Sequence, residues 1–439
     1  MTRARCACGA LSLALVTSCV PALPKSRAWT SDEVAQRTGS PLRSGRDHTF
    51  VLPPSVRAGA PLSTREAVAI AVWNNPGFQA ELAQLVTAHG DLADAAVLPN
   101  PVATLLFPWG PKQLELTVRQ GLGALWQRPK RVTAARKDAE RIAETLVQRS
   151  LDIARDTELA YAELARTEQL VQLAREAEEI WRGLAAIAEA RLRTGDASNR
   201  ERDTTRADAL SAHDAVAQAL TDAELARSAL RTLLGAPPDF ALALAPQPPP
   251  SVTGELATWL RVAGEARPDL RAARLAVEAA GARAGLERDR LVELTAMFDL
   301  NGNNAQDQPE AGPGIELPIP IFDQRQGGRM RAAAELERTG WTYVAVRRQI
   351  QREVVDAHAR LVRASAALAR WRSEILVART EAHRLTLKAF ERGEESHLVV
   401  LEMARALVDA RRRVADLEAE QRRADAELAR AAGGRPRAP

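Results

Sequence analysis

The octapeptide NNPGFQAE, Asn74–Glu81, returns as ARPDLRAA, Ala266–Ala273, with Pro268 standing 192 positions after Pro76. Two further segments return at a spacing of 198: RTGDAS (Arg193–Ser198) as ERGEES (Glu391–Ser396), and LRTLLG, ending at Gly235, as LARAAG, ending at Gly433. A period this long is no solenoid unit, because stacked repeats run at roughly 20–50 residues. It marks a half-protein present twice. Each half reads as short helix, irregular apolar segment, very long helix, tight turn and short helix. The halves cover residues 62–235 and 255–433, and the Pro-rich stretch APPDFALALAPQPPP falls in a linker over 236–254, with a short tail at 434–439.

Helix-breaking residues cluster and leave long runs between them. Val132–Thr194 contains no Pro and a single Gly, with apolar residues recurring at intervals of three and four from Ile142 through Leu164 to Ile187. That pattern predicts one helix of about 65 residues, about 95 Å long at 1.5 Å per residue. Arg329–Arg392, also free of Pro, predicts a second. Shorter helices are expected over Ser63–Val97, Asn199–Leu234, Pro268–Leu291 and His397–Ala432, the first opened by a Ser63–Glu66 capping box. The two shorter helices of the first half sum to about the length of one long helix, so they can lie end to end beside it.

The remaining apolar segments alternate with period two. In QLELTVRQ (Gln113–Gln120), Leu114, Leu116 and Val118 oppose Glu115, Thr117 and Arg119; in ELTAMFDLN (Glu293–Asn301), Leu294, Ala296, Phe298 and Leu300 oppose Glu293, Thr295, Met297 and Asp299. Residues 313–321 and 102–107 add two more strands, the latter with weaker alternation. Apolar-out, polar-in strands are what a membrane β-barrel requires, and about eight strands is the smallest barrel. Four strands therefore require oligomerisation. The fold class is mainly α with a small membrane β-barrel portion.

All three cysteines, Cys6, Cys8 and Cys19, lie in the first nineteen residues. A basic start (MTRAR), a short apolar core (ACGALSLALV) and VTSC resemble a bacterial lipoprotein signal, with residues 1–18 removed and lipid carried on Cys19. Residues 19–61 then read as a lipid-anchored extended segment. Val20, in place of Asp, implies sorting to the outer membrane. With 60 basic and 56 acidic residues, the near-neutral balance argues against a nucleic-acid partner. Aromatics are 4% of the chain, so its core is built from small residues along helix interfaces.

In order and spacing, the paired segments NNPGFQAEL…LPNPVATL and RPDLRAA…GIELPIPIFDQRQGGRMRAAAE, with both glycine turns and HLVVLEMARALVDAR, resemble the TolC-type outer-membrane efflux channel family. The resemblance implies a homotrimer in which each chain gives four strands to a twelve-stranded barrel in outer-membrane lipid, above a periplasmic helical tunnel. It implies a passive exit duct coupled through a periplasmic adaptor protein to an inner-membrane pump. Gly195, Ser198, Gly393 and Ser396 match the tips that meet the adaptor. Glu201, Phe390 and Glu402 match positions of the periplasmic gate, while Val399 stands where the family has another acid. LPIPIFDQRQGG is closer to the heavy-metal-cation branch than to the drug branch. The contrasting reading is a periplasmic structural coiled-coil lipoprotein without a pore.

Nothing in the sequence points to an enzyme, a cofactor or a metal site. His48, His89, His213, His358, His383 and His397 stand apart, with no pair at a ligand or triad spacing. RQGGRMR lacks the Lys-Ser/Thr of a phosphate loop. If Cys19 carries lipid, mass spectrometry of Cys19→Ala shows the acyl mass lost and cleavage before residue 19 blocked; an unchanged mature mass contradicts the assignment.

Overall fold

A computed structural model describes residues 22–434 except Arg46, Pro108, Gly110, Pro111, Pro249, 251–253 and 304–309; the expected signal with its three cysteines lies outside the described residues. In chain order the elements are α1 (Arg27–Thr38), α2 (Thr64–Asn74), α3 (Pro76–Leu82), α4 (Gln84–Ala96), β1 (Val102–Leu106), β2 (Lys112–Gly121), α5 (Gly123–Thr194) and α6 (Asn199–Leu234). The second half holds α7 (Leu256–Ala266), α8 (Pro268–Asp289), β3 (Thr295–Asn303), β4 (Glu310–Glu316), α9 (Gln326–Arg370), α10 (Leu376–Glu391) and α11 (His397–Ala431). Contacts divide the described residues into a smaller unit, drawn from Val86–Glu140 and Leu275–Thr339, and a larger one, drawn from Lys25–Leu85, Arg141–Arg274 and Gly340–Pro439.

The smaller unit carries a four-stranded antiparallel sheet in the order β1-β2-β3-β4. Its register sorts the side chains by face. Leu105, Leu116 and Leu300 lie in one row, and Ala103, Val118 and Phe298 in the next on the same face. Thr104, Thr117 and Asp299 share a row on the other face, where Arg119 lies 3.8 Å from Glu316. Among the described residues neither β1 nor β4 has a second neighbour, so both edges carry unpaired backbone groups. Beside the sheet, Arg128 donates to the Ala96 carbonyl at 2.6 Å and Arg131 to those of Ala95 and Val97 at 2.8 and 2.7 Å. These guanidiniums satisfy the carbonyls that the end of α4 would leave unpaired.

In the larger unit the duplication extends to individual hydrogen bonds. All four returning glycines, Gly195, Gly235, Gly393 and Gly433, adopt positive φ. Each ends its helix in the same double-bonded turn: Gly195 N–H bonds Leu192 and Asp196 N–H bonds Arg191, as Gly393 N–H bonds Phe390 and Glu394 N–H bonds Ala389. Gly235 and Gly433 repeat it. Each of these two also packs against the opening of its half. A Cβ on Gly235 would lie 2.2 Å from the Asn74 carbonyl oxygen, and one on Gly433 3.1 Å from the Ala266 carbonyl carbon. Across the same joints, Asn75 donates to the Leu233 carbonyl at 3.1 Å and Arg267 donates to that of Ala431 at 3.1 Å. The donors are 192 apart and the acceptors 198 apart, the same two spacings found in the sequence.

Arg267 is 1% exposed, and a charge so placed is tolerable only when fully paired. Asp269 and Glu353 pair with it, and Glu353 also binds Arg430, which bonds Asp152. The main apolar core lies at the other joint, where Ile70, Phe78, Leu146, Leu164, Leu230 and Leu234 are all 2% exposed or less. Full burial of each such side chain contributes about 1.5–3 kcal/mol.

Four sequence expectations need correction. The segment 19–61 is not extended throughout: Ser26 caps α1, Gly39 closes it in the left-handed region, and Arg37 donates to the Ala266 and Gly433 carbonyls. The helix expected over Ser63–Val97 is three, because Asn75 caps a new helix with Pro76 in its first turn and α3 ends at Ala83. The helix expected over Arg329–Arg392 is interrupted by a π turn at Trp371–Ile375. Leu368 and Leu376, eight residues apart, pack against one cluster with Val414 and Leu417. Eight residues of α-helix rotate about 80° past two full turns, and absorbing one residue brings the pair to within about 20°. Finally, the strand expected over 313–321 runs over Glu310–Glu316, since Pro318 and Pro320 lack the N–H that a sheet ladder uses.

Gly235→Ala is expected to lower stability by more than the 1–3 kcal/mol of a left-handed non-glycine residue, because the added carbon meets backbone. A lowered denaturation midpoint, against a slightly raised one for Gly183→Ala in the open interior of α5, checks this.

Candidate functional site

The α5–α6 and α10–α11 hairpins meet at their turn ends, inside the larger unit. The sequence places a wide, mostly aliphatic cluster there: Ala177, Trp181 and Leu184 from α5, Ala212 from α6, Phe390 from α10, and Val400, Leu401 and Ala404 from α11. Around the two turns, Ser198 caps α6 by accepting from the Glu201 N–H at 3.2 Å. Ser396 holds the equivalent position before α11, with no side-chain cap bond. Gly195, Ser198, Gly393 and Ser396 thus occupy matching places in two matching turns.

Polar side chains close the cluster on the turn side. Arg191 lies with its guanidinium 5.1 Å from the centre of the Phe390 ring and 3.9 Å from Glu201. His397, the first residue of α11, is nine-tenths buried, with Nδ1 3.8 Å from Glu201 Oε1 and its ring centred 5.6 Å from that of Phe390. Neither imidazole nitrogen has a hydrogen-bond partner among the described residues, and nor has that Glu201 oxygen. Burial, and then Arg191, hold the His397 pKa below its ordinary value, with Glu201 and Asp208 opposing. Two turns further along, Arg405 bonds both Asp208 oxygens at 2.9 Å and lies 5.5 Å from the Trp181 ring.

Of the three positions expected at a gate, the structure brings Glu201 and Phe390 together, linked through Arg191 and His397. Phe390 is 6% exposed and belongs to the hydrophobic cluster. Glu402 lies exposed on α11, with no ion pair among the described residues. In the sequence Arg191 carries no distinguishing motif and His397 stands as one of six isolated histidines. Their only advance signal was their positions, four residues before one turn glycine and four after the other.

Among the described residues no group of three or more His, Cys, Asp or Glu side chains could hold a metal, and no helix is long and apolar enough to cross a membrane. The lipid-compatible surface is the sheet's apolar face. On it and in the flanking segments, Leu105, Phe298 and Ile315 are exposed, and Trp109 is fully exposed.

Residues 259–434 match the family described as outer membrane efflux protein. The chain is 26% identical over 367 residues to the cobalt-zinc-cadmium resistance protein CzcC of Cupriavidus metallidurans, covering 81% of this chain and 86% of that one. Its fold is similar to that of the outer-membrane channel OprN, with a TM-score of 0.73 at 19% identity, covering 89% of this chain and 96% of the other. It is likewise similar to the outer membrane protein VceC of Vibrio cholerae, with a TM-score of 0.72 at 20% identity, covering 84% and 96%.

Phe390→Ala removes the ring on which Arg191 and His397 rest, at a cost of about 3–5 kcal/mol to the local packing. Limited proteolysis should show faster cleavage at the Arg392–Glu395 turn than in the wild type, with the α1 region equally resistant in both.

Proposed function

We propose that this chain, which belongs to the outer membrane efflux protein family, is the outer-membrane duct of a tripartite export system, joined through a periplasmic adaptor to an inner-membrane pump. The observation that carries this reading is the sheet: four strands, of which β2, β3 and β4 are mainly apolar on one face and polar on the other while β1 is apolar on both apart from Thr104, with β1 and β4 each lacking an outer neighbour among the described residues. In hydrocarbon an unpaired backbone N–H or C=O costs several kcal/mol, so a lipid-facing sheet must close. Three copies joined β1 to β4 close it with twelve strands, turning the Leu116 face to lipid and the Thr117 face to a water-filled lumen.

The rest of the assembly follows from the same reading. Cys19 carries the lipid that anchors the chain to the outer membrane. The twin turns at Gly195–Ser198 and Gly393–Ser396 are the adaptor contacts. Glu201 and Glu402 belong to the gate at that end, each present three times around the trimer axis, and Phe390 packs between the hairpins that form it. Crowded carboxylates of this kind attract cations. The exported cargo is a heavy-metal cation, a reading supported by the name of the CzcC relative and by the LPIPIFDQRQGG segment. A duct of this type needs no chemistry of its own, since the pump supplies the energy.

Planar-bilayer recording tests the duct directly. The wild type should conduct. Leu116→Arg should cost about 2–4 kcal/mol near the bilayer midplane and reduce assembled trimer. Thr117→Arg should assemble normally and shift selectivity toward anions. Glu402→Gln should weaken block by divalent cations added on the periplasmic side. A protein that never conducts, or two faces that respond alike to Arg, contradicts the reading.

A further inference from the structure

The reading of the two turns as the closed end of a duct leaves one pair of groups unexplained: a buried imidazole and a buried carboxylate oxygen that face each other without a hydrogen bond. His397 Nδ1 stands 3.8 Å from Glu201 Oε1, beyond bonding range, and Nε2 has no acceptor among the described residues. A buried polar atom without a partner is disfavoured, so these groups do not by themselves stabilise the contact between hairpins.

Charging the ring in place is disfavoured on balance, with burial and Arg191 outweighing the attraction of Glu201 and Asp208. An imidazolium carries two N–H donors, and the pocket gives one of them a distant carboxylate and the other nothing. His397 opens α11, whose amino-terminal end repels positive charge. Arg191 faces it from α5, and Glu201 and Asp208 face it from α6; from α10 only the uncharged Phe390 ring does. Glu201 is shared with Arg191 at 3.9 Å, so its charge is not free to serve the histidine alone.

We propose that His397 is a proton-operated latch: neutral, it packs between Phe390 and Glu201 and holds the α5–α6 and α10–α11 hairpins together, and on taking up a proton it leaves that pocket and the hairpins part. This rests on the turn end being the closed end of the duct, and adds what opens it: acidification.

The sign follows from linkage. In the packed state burial lowers the His397 pKa, whereas in the parted state the ring meets water and titrates near the ordinary value of about 6.5. The packed state therefore binds the proton more weakly. Its advantage is complete above that ordinary value and is lost progressively as pH falls from there through the lowered pKa of the packed state. At pH 5.5 the bias toward the parted state reaches up to about tenfold per histidine, the ratio of a ring nine-tenths protonated to one that stays neutral.

Two measurements on the full-length protein test the latch. Ala404→Cys places a thiol in the hairpin cluster, and Ala357→Cys places one in a separate buried cluster. The rate of labelling by a methanethiosulfonate, read on the peptide carrying each cysteine, is expressed as the 404-to-357 ratio, which cancels the pH dependence of thiol chemistry. That ratio should rise several-fold between pH 7.5 and 5.5. It should stay flat with His397→Gln and with His397→Phe, both of which keep the ring site neutral at either pH. Bilayer conductance of the wild type should rise over the same interval and lose that response in both variants. A ratio that is flat in the wild type, that falls on acidification as a new His397–Glu201 ion pair would require, or that rises equally in both variants overturns the latch. Absence of conductance at any pH overturns the duct reading instead, and the labelling ratio still decides whether the hairpins part.

Discussion

A four-stranded antiparallel sheet leaves two rows of backbone N–H and C=O groups without partners, here at β1 and at β4. In lipid that constraint admits one remedy, closure with further copies, and much of the chain can be understood as serving it. The central pairing of the sheet is β2 with β3, in which Leu116 meets Leu300 across a gap of 184 residues in sequence. Such a pairing costs considerable loop entropy unless the intervening chain is itself ordered. The duplicated helices provide that order, since each half ends by packing its last glycine turn against its own opening segment. Asn75 and Arg267 reach the equivalent carbonyls of Leu233 and Ala431 to hold it there.

The two halves solve the same packing problem with different chemistry. At the first joint Asn75 supplies a neutral amide, and the surroundings are Ile70, Phe78, Leu82 and Leu234. At the second joint Arg267 is fully buried, and Asp269, Glu353 and Arg430 form a charged network around it. Pairing of this kind offsets the desolvation of the ions and adds little net stability, but removing one partner strands the others. The second joint is also the one that α1 reaches, through Arg37 on the Gly433 and Ala266 carbonyls. The amino-terminal helix therefore binds the joint that carries the buried charges.

The repeat, the four glycine turns and the two-faced strands were legible in the sequence because each rests on local chemistry. Only glycine adopts positive φ without strain, so Gly195, Gly235, Gly393 and Gly433 announce their turns. Alternation of Leu114, Leu116 and Val118 with charged and hydroxyl residues requires nothing beyond period two. The features that were not legible depend on partners distant in sequence. The π turn at Trp371–Ile375 corrects the phase of one helix against Val414 and Leu417 on another. Helix α1 has a Ser cap and a Gly stop, but its weak apolar periodicity left it unrecognised, and its docking comes from Arg37. His397 is buried only because Phe390, Glu201 and Arg191 converge on it from three helices.

Closure of the sheet by neighbouring copies is the claim on which the functional reading stands, and disulfide trapping across the open edges measures it most directly. Single cysteines at Ala103, Thr104, Leu105 and Leu106 on β1 are each combined with one at Ala311, Gly312, Pro313 or Gly314 on β4. After oxidation in the membrane the products are separated in denaturing detergent. The account predicts that pairs in one register yield covalent species ending at three chains, and that pairs displaced from it yield none. Monomer at every pairing, or a ladder continuing past three, contradicts it.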